Sequence, residues 1–165
     1  MPATLDAIRI VSVAGSPDAT EAEREFASGL GRLLALEGYA VACGGGSGAM
    51  EAVCRSASEA GGITIGILQG IDPSEANPFV TMPVPTGLGQ GRNRVVALAG
   101  FALVAAGGKY GTLSEMAFAL DAGRPVCAFG SWSGIPGVTP VATPQEAIAF
   151  LRSSEEVSIC SRRPR

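Results

Sequence analysis

The order of apolar segments is the feature that most constrains how this chain folds. Short runs rich in β-branched residues alternate with longer segments in which apolar residues recur at helical spacing. This alternation is typical of a parallel sheet with helices on both faces. The sequence therefore predicts an α/β fold with a doubly wound, mostly parallel, Rossmann-like sheet. The predicted strands cover residues 8–14, 39–43, 63–68, 80–83, 102–106, 126–129 and 138–142.

Chain length and helix signals predict a single domain. The chain has 165 residues, no polar linker and no internal repeat, and two domains of half this length would have small cores. A helix is predicted over residues 21–37, because its apolar residues share one face and Gly38 follows it. The last helix is predicted to start after the N-cap Thr143 and to end at about Leu151. We predict a Rossmann domain at residues 1–152 and a flexible C-terminal tail at residues 153–165.

The amino-acid composition excludes several kinds of catalytic site. The chain has no histidine, which removes Ser-His-Asp and Cys-His nucleophile pairs and the zinc sites that use histidine. Lys109 is the only lysine and lies inside a glycine loop, so a Schiff-base mechanism is disfavoured. Acid–base chemistry must therefore use carboxylates.

Charge and hydropathy argue against nucleic acid and membrane as partners. The net charge is −3, and Arg162, Arg163 and Arg165 carry three of the positive charges, which leaves −6 on the rest of the chain. The domain therefore offers no basic surface for nucleic acid. The longest apolar stretch, residues 95–108, has 14 residues, fewer than the roughly 20 of a membrane helix. The four cysteines form no CxxC pair, which predicts reduced thiols in a cytoplasmic protein.

Two glycine-rich loops predict a phosphate site. Residues 44–48 follow the second predicted strand, and residues 107–112 follow the fifth. Each loop leads into a helix, where unpaired amides and the helix dipole attract anions and glycine allows a phosphate to approach the backbone. Either loop alone is equally explained as a tight turn, whereas two at one sheet edge favour a ligand site.

The loops match neither of two common nucleotide motifs in full. Residues 44–49 fit a loose G-x-G-x-x-A pattern, yet the next strand ends in Leu68-Gln69, where a dinucleotide site has an acidic residue. Tyr110 follows Gly108-Lys109 at the position where a P-loop has Ser or Thr. NAD binding and P-loop ATP hydrolysis are therefore disfavoured.

Arg92 and Glu115 are the candidate reacting side chains. Arg92 begins a predicted helix after a glycine-rich loop, and Arg94 lies on the opposite side of that helix. Glu115 follows Thr112 by three residues and lies one helical turn inside the next helix. Arg92 could clamp a phosphate bidentately or form a surface salt bridge. Glu115 could face the pocket, complement the helix dipole or form a capping box with Thr112.

Together these motifs resemble the LOG ("lonely guy") family of the lysine decarboxylase-like Rossmann superfamily. The resemblance rests on Gly-Gly-x-Tyr-Gly-Thr-x-x-Glu at residues 107–115, the triple-glycine loop at residues 44–50, and Arg92 placed 15 residues before Gly107. It implies a homodimer that hydrolyses the N-glycosidic bond of a nucleoside 5'-monophosphate, with Arg92 and Glu115 as catalytic residues and no required cofactor.

The segment Thr-Gly-Leu-Gly-x-x-Arg at residues 86–92 and the short chain look closer to a compact subgroup that includes molybdenum cofactor carrier proteins. This resemblance implies an alternative, a non-catalytic carrier of molybdenum cofactor or of another phosphorylated pterin or nucleotide. A nucleotide sensor that acts through a partner fits the same site. The sequence therefore fits both a catalytic and a non-catalytic protein.

The hydrolase and carrier hypotheses share one binding pocket and one assembly. An apolar helix at residues 95–98 and an apolar surface on the next helix predict a two-fold interface. The residues of that second surface are Met116, Phe118, Ala119 and Leu120. The residues expected to bind the ligand and its phosphate are Gly15, Ser16, Gly44, Gly45, Gly46, Met50, Arg92, Asn93, Gly107, Gly108, Lys109, Tyr110, Gly111 and Thr112.

Overall fold

A computed structural model describes residues 8–161 as one seven-stranded parallel sheet flanked by helices. The strand order is β4-β3-β2-β1-β5-β6-β7, which confirms the predicted doubly wound α/β fold. The strands are β1 (Ile10–Gly15), β2 (Ala40–Cys43), β3 (Thr64–Leu68), β4 (Met82–Pro85), β5 (Leu103–Ala106), β6 (Val126–Phe129) and β7 (Val138–Pro140). The helices are α1 (Glu21–Leu36), α2 (Ala49–Glu59), α3 (Arg92–Ala99), α4 (Tyr110–Asp121) and α5 (Pro144–Ser161).

Alternate residues of the central strands face two separate cores. Val11 and Val13 of β1 pack with α1, α2 and α5, whereas Ala14 of the same strand packs with α3 and α4. This division follows from the two-residue period of a strand, which points successive side chains to opposite faces. Cys43, Cys54 and Cys127 are buried, free thiols of the first core, as expected for small apolar side chains.

The edge strand β4 lies two residues later than predicted. The expected strand at residues 80–83 starts instead at Met82, where the pairing of Ile65 with Met82 begins the β3–β4 ladder. The Thr64 and Thr81 hydroxyls, 3.0 Å apart, connect the segment just before this ladder. The hydrophobic pattern could not reveal this register, because β4 is exposed along most of its length.

The last helix extends ten residues beyond its predicted end at Leu151. Its start is as predicted, since Glu146 N donates to Thr143 Oγ1 and the Glu146 carboxylate accepts from Ala142 N at 2.7 Å. Arg152 then donates two hydrogen bonds to Glu37, the C-cap residue of α1. These contacts join α5 to a residue that is distant in the sequence, and local sequence signals do not predict them. The division into a domain at 1–152 and a tail at 153–165 stays a prediction, and residues 162–165 lie outside the described part.

Much of the apolar surface assigned to a dimer interface is used within the chain. Val96 on α3 and Met116 and Ala119 on α4 are fully buried in the second core. α3 and α4 pack directly on each other, which accounts for their apolar facing sides. Val95 remains exposed, whereas Phe118 is partly buried beside the core. The excess of apolar residues on these helices is therefore smaller than the sequence indicates.

Candidate functional site

A cavity of about 580 Å³ opens at the carboxyl edge of the sheet. Strand β1 lies between β2 and β5, so the loops that follow these three strands meet at one place. The cavity volume lies within the range typical of small-molecule sites. The prediction that the two glycine loops meet at one sheet edge is thus confirmed, since Gly44 and Gly111 both line this cavity.

Most of the predicted site residues line the cavity. Gly45, Gly107 and Gly108 lie outside the lining, and their contact with a ligand stays a prediction. The lining residues that the sequence predicted are Gly15, Ser16, Gly44, Gly46, Met50, Arg92, Asn93, Lys109, Tyr110, Gly111, Thr112 and Glu115.

Arg92 lines the cavity and links two segments of the chain by hydrogen bonds. Its Nη1 donates to the carbonyl oxygens of Gly44 and Ile67, both at 2.6 Å. The side chain is buried rather than part of a surface salt bridge, and burial lowers its pKa while the Glu115 charge raises it. Arg94 instead places its guanidinium 5.4 Å from the Phe118 ring centroid. Arg92 is therefore the arginine of α3 that lines the cavity, as its position after the glycine-rich loop predicts.

Glu115 is a buried carboxyl group inside the cavity. It is only 6% exposed, and no described side chain forms a hydrogen bond that stabilises its charge. Burial raises its pKa to about 8, and the positive charge of Arg92 acts in the opposite direction. The group is therefore mostly protonated at pH 7, when it both donates and accepts hydrogen bonds. A capping box with Thr112 is not formed, because the N-cap of α4 is Lys109.

The second glycine loop is held from behind by α1. Gly107 N donates to Phe129 O, and Gly108 N donates to Glu23 Oε1 at 3.2 Å. A Cβ on Gly107 would overlap the Glu23 carboxylate, and one on Gly108 would overlap Thr112. Both glycines also have positive φ. Their amides are thus used inside the protein, and only the later part of the loop reaches the cavity.

The first turns of α2 and α4 both contribute residues to the cavity lining. Neither Gly48 nor Lys109, the two N-cap residues, supplies a side-chain cap. Amides in the first turn of a helix lack intrahelical partners and favour anions. Asn93 Nδ2 donates to Ser114 Oγ, and this hydroxyl donates to Gly111 O, so α3 supports the start of α4. The cavity therefore combines two helix N-termini with one buried guanidinium.

The family model for the SLOG cluster4 family matches residues 8–161. The chain belongs to this family. The match confirms the resemblance to the LOG-like superfamily and its compact subgroup.

Relatives of known structure share this fold. The molybdenum cofactor binding protein of the phototrophic bacterium Rippkaea orientalis is 32% identical, with 88% of this chain and 96% of that chain covered and a TM-score of 0.83. The molybdenum cofactor carrier protein of Chlamydomonas reinhardtii is 34% identical, with 90% and 99% covered and a TM-score of 0.81. A relative found by sequence alone, an uncharacterized protein of Archaeoglobus fulgidus, is 33% identical over 144 residues, which are 87% of this chain and 95% of that protein.

The cavity also includes residues that sequence reasoning missed. Position at the carboxyl end of a strand is a signal that could have found the segments after β1 and β3. Glu75 and Gln90 lie in two short 3-10 turns without such a signal. The missed lining residues are Pro17, Asp18, Ser47, Leu68, Gln69, Glu75 and Gln90.

Between residues 8 and 161, no three His, Cys, Asp or Glu side chains form a group that could hold a metal ion. No helix in that same range is long and apolar enough to cross a membrane.

Proposed function

We propose that this chain binds a phosphorylated heterocycle and acts as a carrier of molybdenum cofactor or a closely related pterin phosphate. The observation that carries this proposal is the similarity, over nearly the whole chain, to two structures described as molybdenum cofactor binding and carrier proteins. The pterin is cargo in this scheme. The protein has to recognise its ring and its phosphate, and it has to exclude water without breaking a bond.

The phosphate is assigned to the helix N-termini and Arg92. The uncapped first turns of α2 and α4 supply amide donors, and Arg92 supplies a positive charge. The Nε of Arg92 is buried and has no hydrogen-bond partner among the described residues. An unpaired buried donor is costly, so a bound anion or an ordered water that satisfies it would stabilise the site.

Glu115 is assigned to ring recognition in the carrier scheme. A pterin or a purine presents neighbouring donor and acceptor atoms along one edge. A protonated carboxyl group has one donor and one acceptor, and thus complements such an edge. The raised pKa of Glu115, about 8, keeps that protonated form in place at pH 7.

The second candidate is nucleoside 5'-monophosphate phosphoribohydrolase activity. It is supported by the placement of Arg92 and Glu115 in one cavity. In this reaction, water adds at the anomeric carbon while the C–N bond breaks, and the products are ribose 5-phosphate and the protonated base. Glu115, protonated at pH 7, would give its proton to the departing base and then accept one from water. Arg92 would fix the phosphate or the departing base.

One experiment separates the two functions. Purified protein is incubated with a panel of nucleoside monophosphates and with a pterin monophosphate, and ribose 5-phosphate release and retained ligand are measured together. Retention of the pterin without release from any nucleotide supports the carrier. Release of ribose 5-phosphate that falls about a hundredfold in Glu115→Gln supports the hydrolase. Neither retention nor release would overturn both.

A homodimer and a cytoplasmic location complete the proposal. Three observations favour association: exposed Val95 on α3, and exposed Met82 and Val84 on the edge strand β4. Pro83 and Pro85 lack amide donors, so partners would meet through side chains rather than by extending the sheet. Light scattering should give a particle of about twice 16.6 kDa, and a 16.6 kDa particle at micromolar concentration would contradict the dimer.

A further inference from the structure

An aromatic pair stands at the entrance of the cavity. Tyr110 is the first residue of α4, and 79% of its surface is exposed although it lines the cavity. Its ring centroid lies 5.8 Å from that of Trp132, with the two rings inclined at 43°. An aromatic ring can stack against another planar π-system through its face. The Tyr110 ring therefore offers a free apolar surface beside the polar interior of the cavity.

Trp132 is held in a costly backbone conformation. Among residues 8–161 it is the only non-glycine residue with positive φ, at +68°. This region is an outlier for a bulky residue and persists when surrounding contacts enforce it. Two contacts do so here: Nε1 donates to Gly108 O at 3.2 Å, and the side chain packs against the second core. The indole is thus fixed to the glycine loop that positions Tyr110.

No other described residue offers a ring to a ligand in this cavity. The remaining lining side chains are small, polar, charged or aliphatic, and Tyr110 is the only aromatic one. Tyr110 also directly precedes Gly111 and Thr112 in the first turn of α4. A phosphate held by this helix N-terminus places an attached ring within reach of the Tyr110 side chain.

We propose that Tyr110 is the stacking surface for the planar nitrogen heterocycle of the ligand and that Trp132 is its positioning residue. The inference rests on the proposed function for the phosphate, and it adds the ring subsite and the chemical class that it takes. Stacking of a base on an aromatic side chain changes affinity by roughly tenfold or more. Both a pterin and a purine have such a planar ring, and comparing the affinities for a pterin monophosphate and for GMP distinguishes the two ligands.

The experiment uses three variants of the full chain. Tyr110→Leu removes the aromatic face, Tyr110→Phe is the matched control that keeps it, and Trp132→Phe removes the indole N–H donated to Gly108. Calorimetry measures affinity for a pterin monophosphate, for GMP, for ribose 5-phosphate, and for guanosine, which has a ring and no phosphate. Trp132 is the only tryptophan in the chain, so its emission reports ring binding beside Tyr110 in wild type and in both Tyr110 variants.

The expected result is a selective loss of ring binding. Tyr110→Leu should weaken pterin monophosphate or GMP binding by roughly tenfold or more and leave ribose 5-phosphate within about twofold, whereas Tyr110→Phe should keep both. Trp132→Phe should lower the ratio of ring-ligand to ribose 5-phosphate affinity by a smaller factor. Ring ligands, but not ribose 5-phosphate, should change the Trp132 emission.

The measurements test the stacking role of Tyr110 and the proposed phosphate site separately. Equal affinity of wild type and Tyr110→Leu for the ring ligands, with ribose 5-phosphate still bound, overturns the stacking role alone. Guanosine binding that Tyr110→Leu abolishes, with no phosphate contribution, supports the stacking role and overturns the proposed phosphate site. Absence of binding for all four compounds overturns both.

Discussion

The two glycine loops look alike in sequence and are used differently in the structure. In the first loop, Gly44 and Gly46 line the cavity, and the Arg92 guanidinium lies directly against Gly44. In the second loop, Gly107 and Gly108 face the Glu23 carboxylate and Thr112, and the cavity is lined only from Lys109 onward. In both loops, glycine therefore leaves room for side chains of the protein itself to pack against the backbone. Glycine content alone does not identify the residues that meet a phosphate.

The largest expected effect comes from filling the space behind the second loop. Gly107→Ala places a methyl group against the Glu23 carboxylate at a φ of +65°. The left-handed backbone costs an alanine about 1 kcal/mol, and displacing Glu23 breaks a charge-assisted hydrogen bond worth about 2 kcal/mol. We expect the free energy of unfolding, measured in urea, to fall by about 3 kcal/mol.

Gly123→Ala is the matched control for this substitution. Gly123 has a similar φ of +70°, but an added Cβ meets nothing within 4 Å. Its free energy of unfolding should therefore fall by only about 1 kcal/mol, the cost of a left-handed backbone conformation for alanine. Equal losses in the two variants would show that Glu23 moves away freely and that it does not anchor the second loop.

The next effect concerns the buried carboxyl between the loops. Burial raises the pKa of Glu115 to about 8 in the folded protein, from an ordinary value of 4.5. Between these values the folded state binds more protons, so stability falls as pH rises, by at most about 1.4 kcal/mol per pH unit. Glu115→Gln removes this decline and should be more stable than wild type by about 2 kcal/mol near pH 6.

The measurement is urea unfolding of wild type and Glu115→Gln at several values between pH 5 and 9. Glu25→Gln is the control, since Glu25 is an exposed carboxylate on α1. A wild-type stability that stays flat between pH 5 and 8 would mean that the carboxyl is solvated or paired, and the ring-recognition role would lose its support.

Sequence reasoning succeeded where local pattern decides structure. Strand alternation predicted the parallel sheet, and Thr143 with Glu146 marked the start of α5. It failed where contacts join distant positions. Glu23 reads as the last residue of the capping box with Thr20, and only the fold brings its second oxygen to Gly108, 85 residues away. The part of α5 beyond Leu151 likewise includes a distant contact, the pair between Arg152 and Glu37.

The same contrast between local patterns and distant contacts applies to the candidate site. Helical spacing predicted that only one of Arg92 and Arg94 faces the site, and the glycine loop before Arg92 favoured that residue, which does line the cavity. The carbonyl partners of Arg92, at Gly44 and Ile67, come from two different strand ends. No pattern in the sequence specifies those distances. The role of each residue toward a ligand stays a prediction.

A third effect should appear mainly in binding. Gly44→Ala puts a methyl group against the Arg92 guanidinium, whereas Gly44 has no positive φ. The arginine must shift from the Gly44 and Ile67 carbonyls, which we expect to cost about 1 kcal/mol of stability. Ribose 5-phosphate affinity, measured by calorimetry, should fall about tenfold. Gly134→Ala, where an added Cβ meets nothing within 4 Å, should change neither; an unchanged affinity in Gly44→Ala would remove Arg92 from the phosphate site.

The smallest effect is expected at the rim, where the two sides of the cavity are joined by an exposed ion pair. Lys109 Nζ lies 3.0 Å from Asp18 Oδ2, and both side chains are about 70% exposed. Exposed pairs contribute little to stability, so Lys109→Met should change the free energy of unfolding by less than about 0.5 kcal/mol. The positive charge at the entrance should still attract an anion. We therefore expect a slower association rate for a ring-containing phosphate in stopped-flow fluorescence of Trp132, with the difference vanishing at high salt.

Asp18→Asn separates the charge of the rim from the ion pair itself. It also breaks the pair but leaves the Lys109 charge, so it should speed association at low salt while Lys109→Met slows it. If both variants slow association equally, the pair acts by holding the two loops together rather than by its field. The rim would then resemble the Glu23 contact behind the second loop, and the difference between a structural side and a ligand side of that loop would disappear.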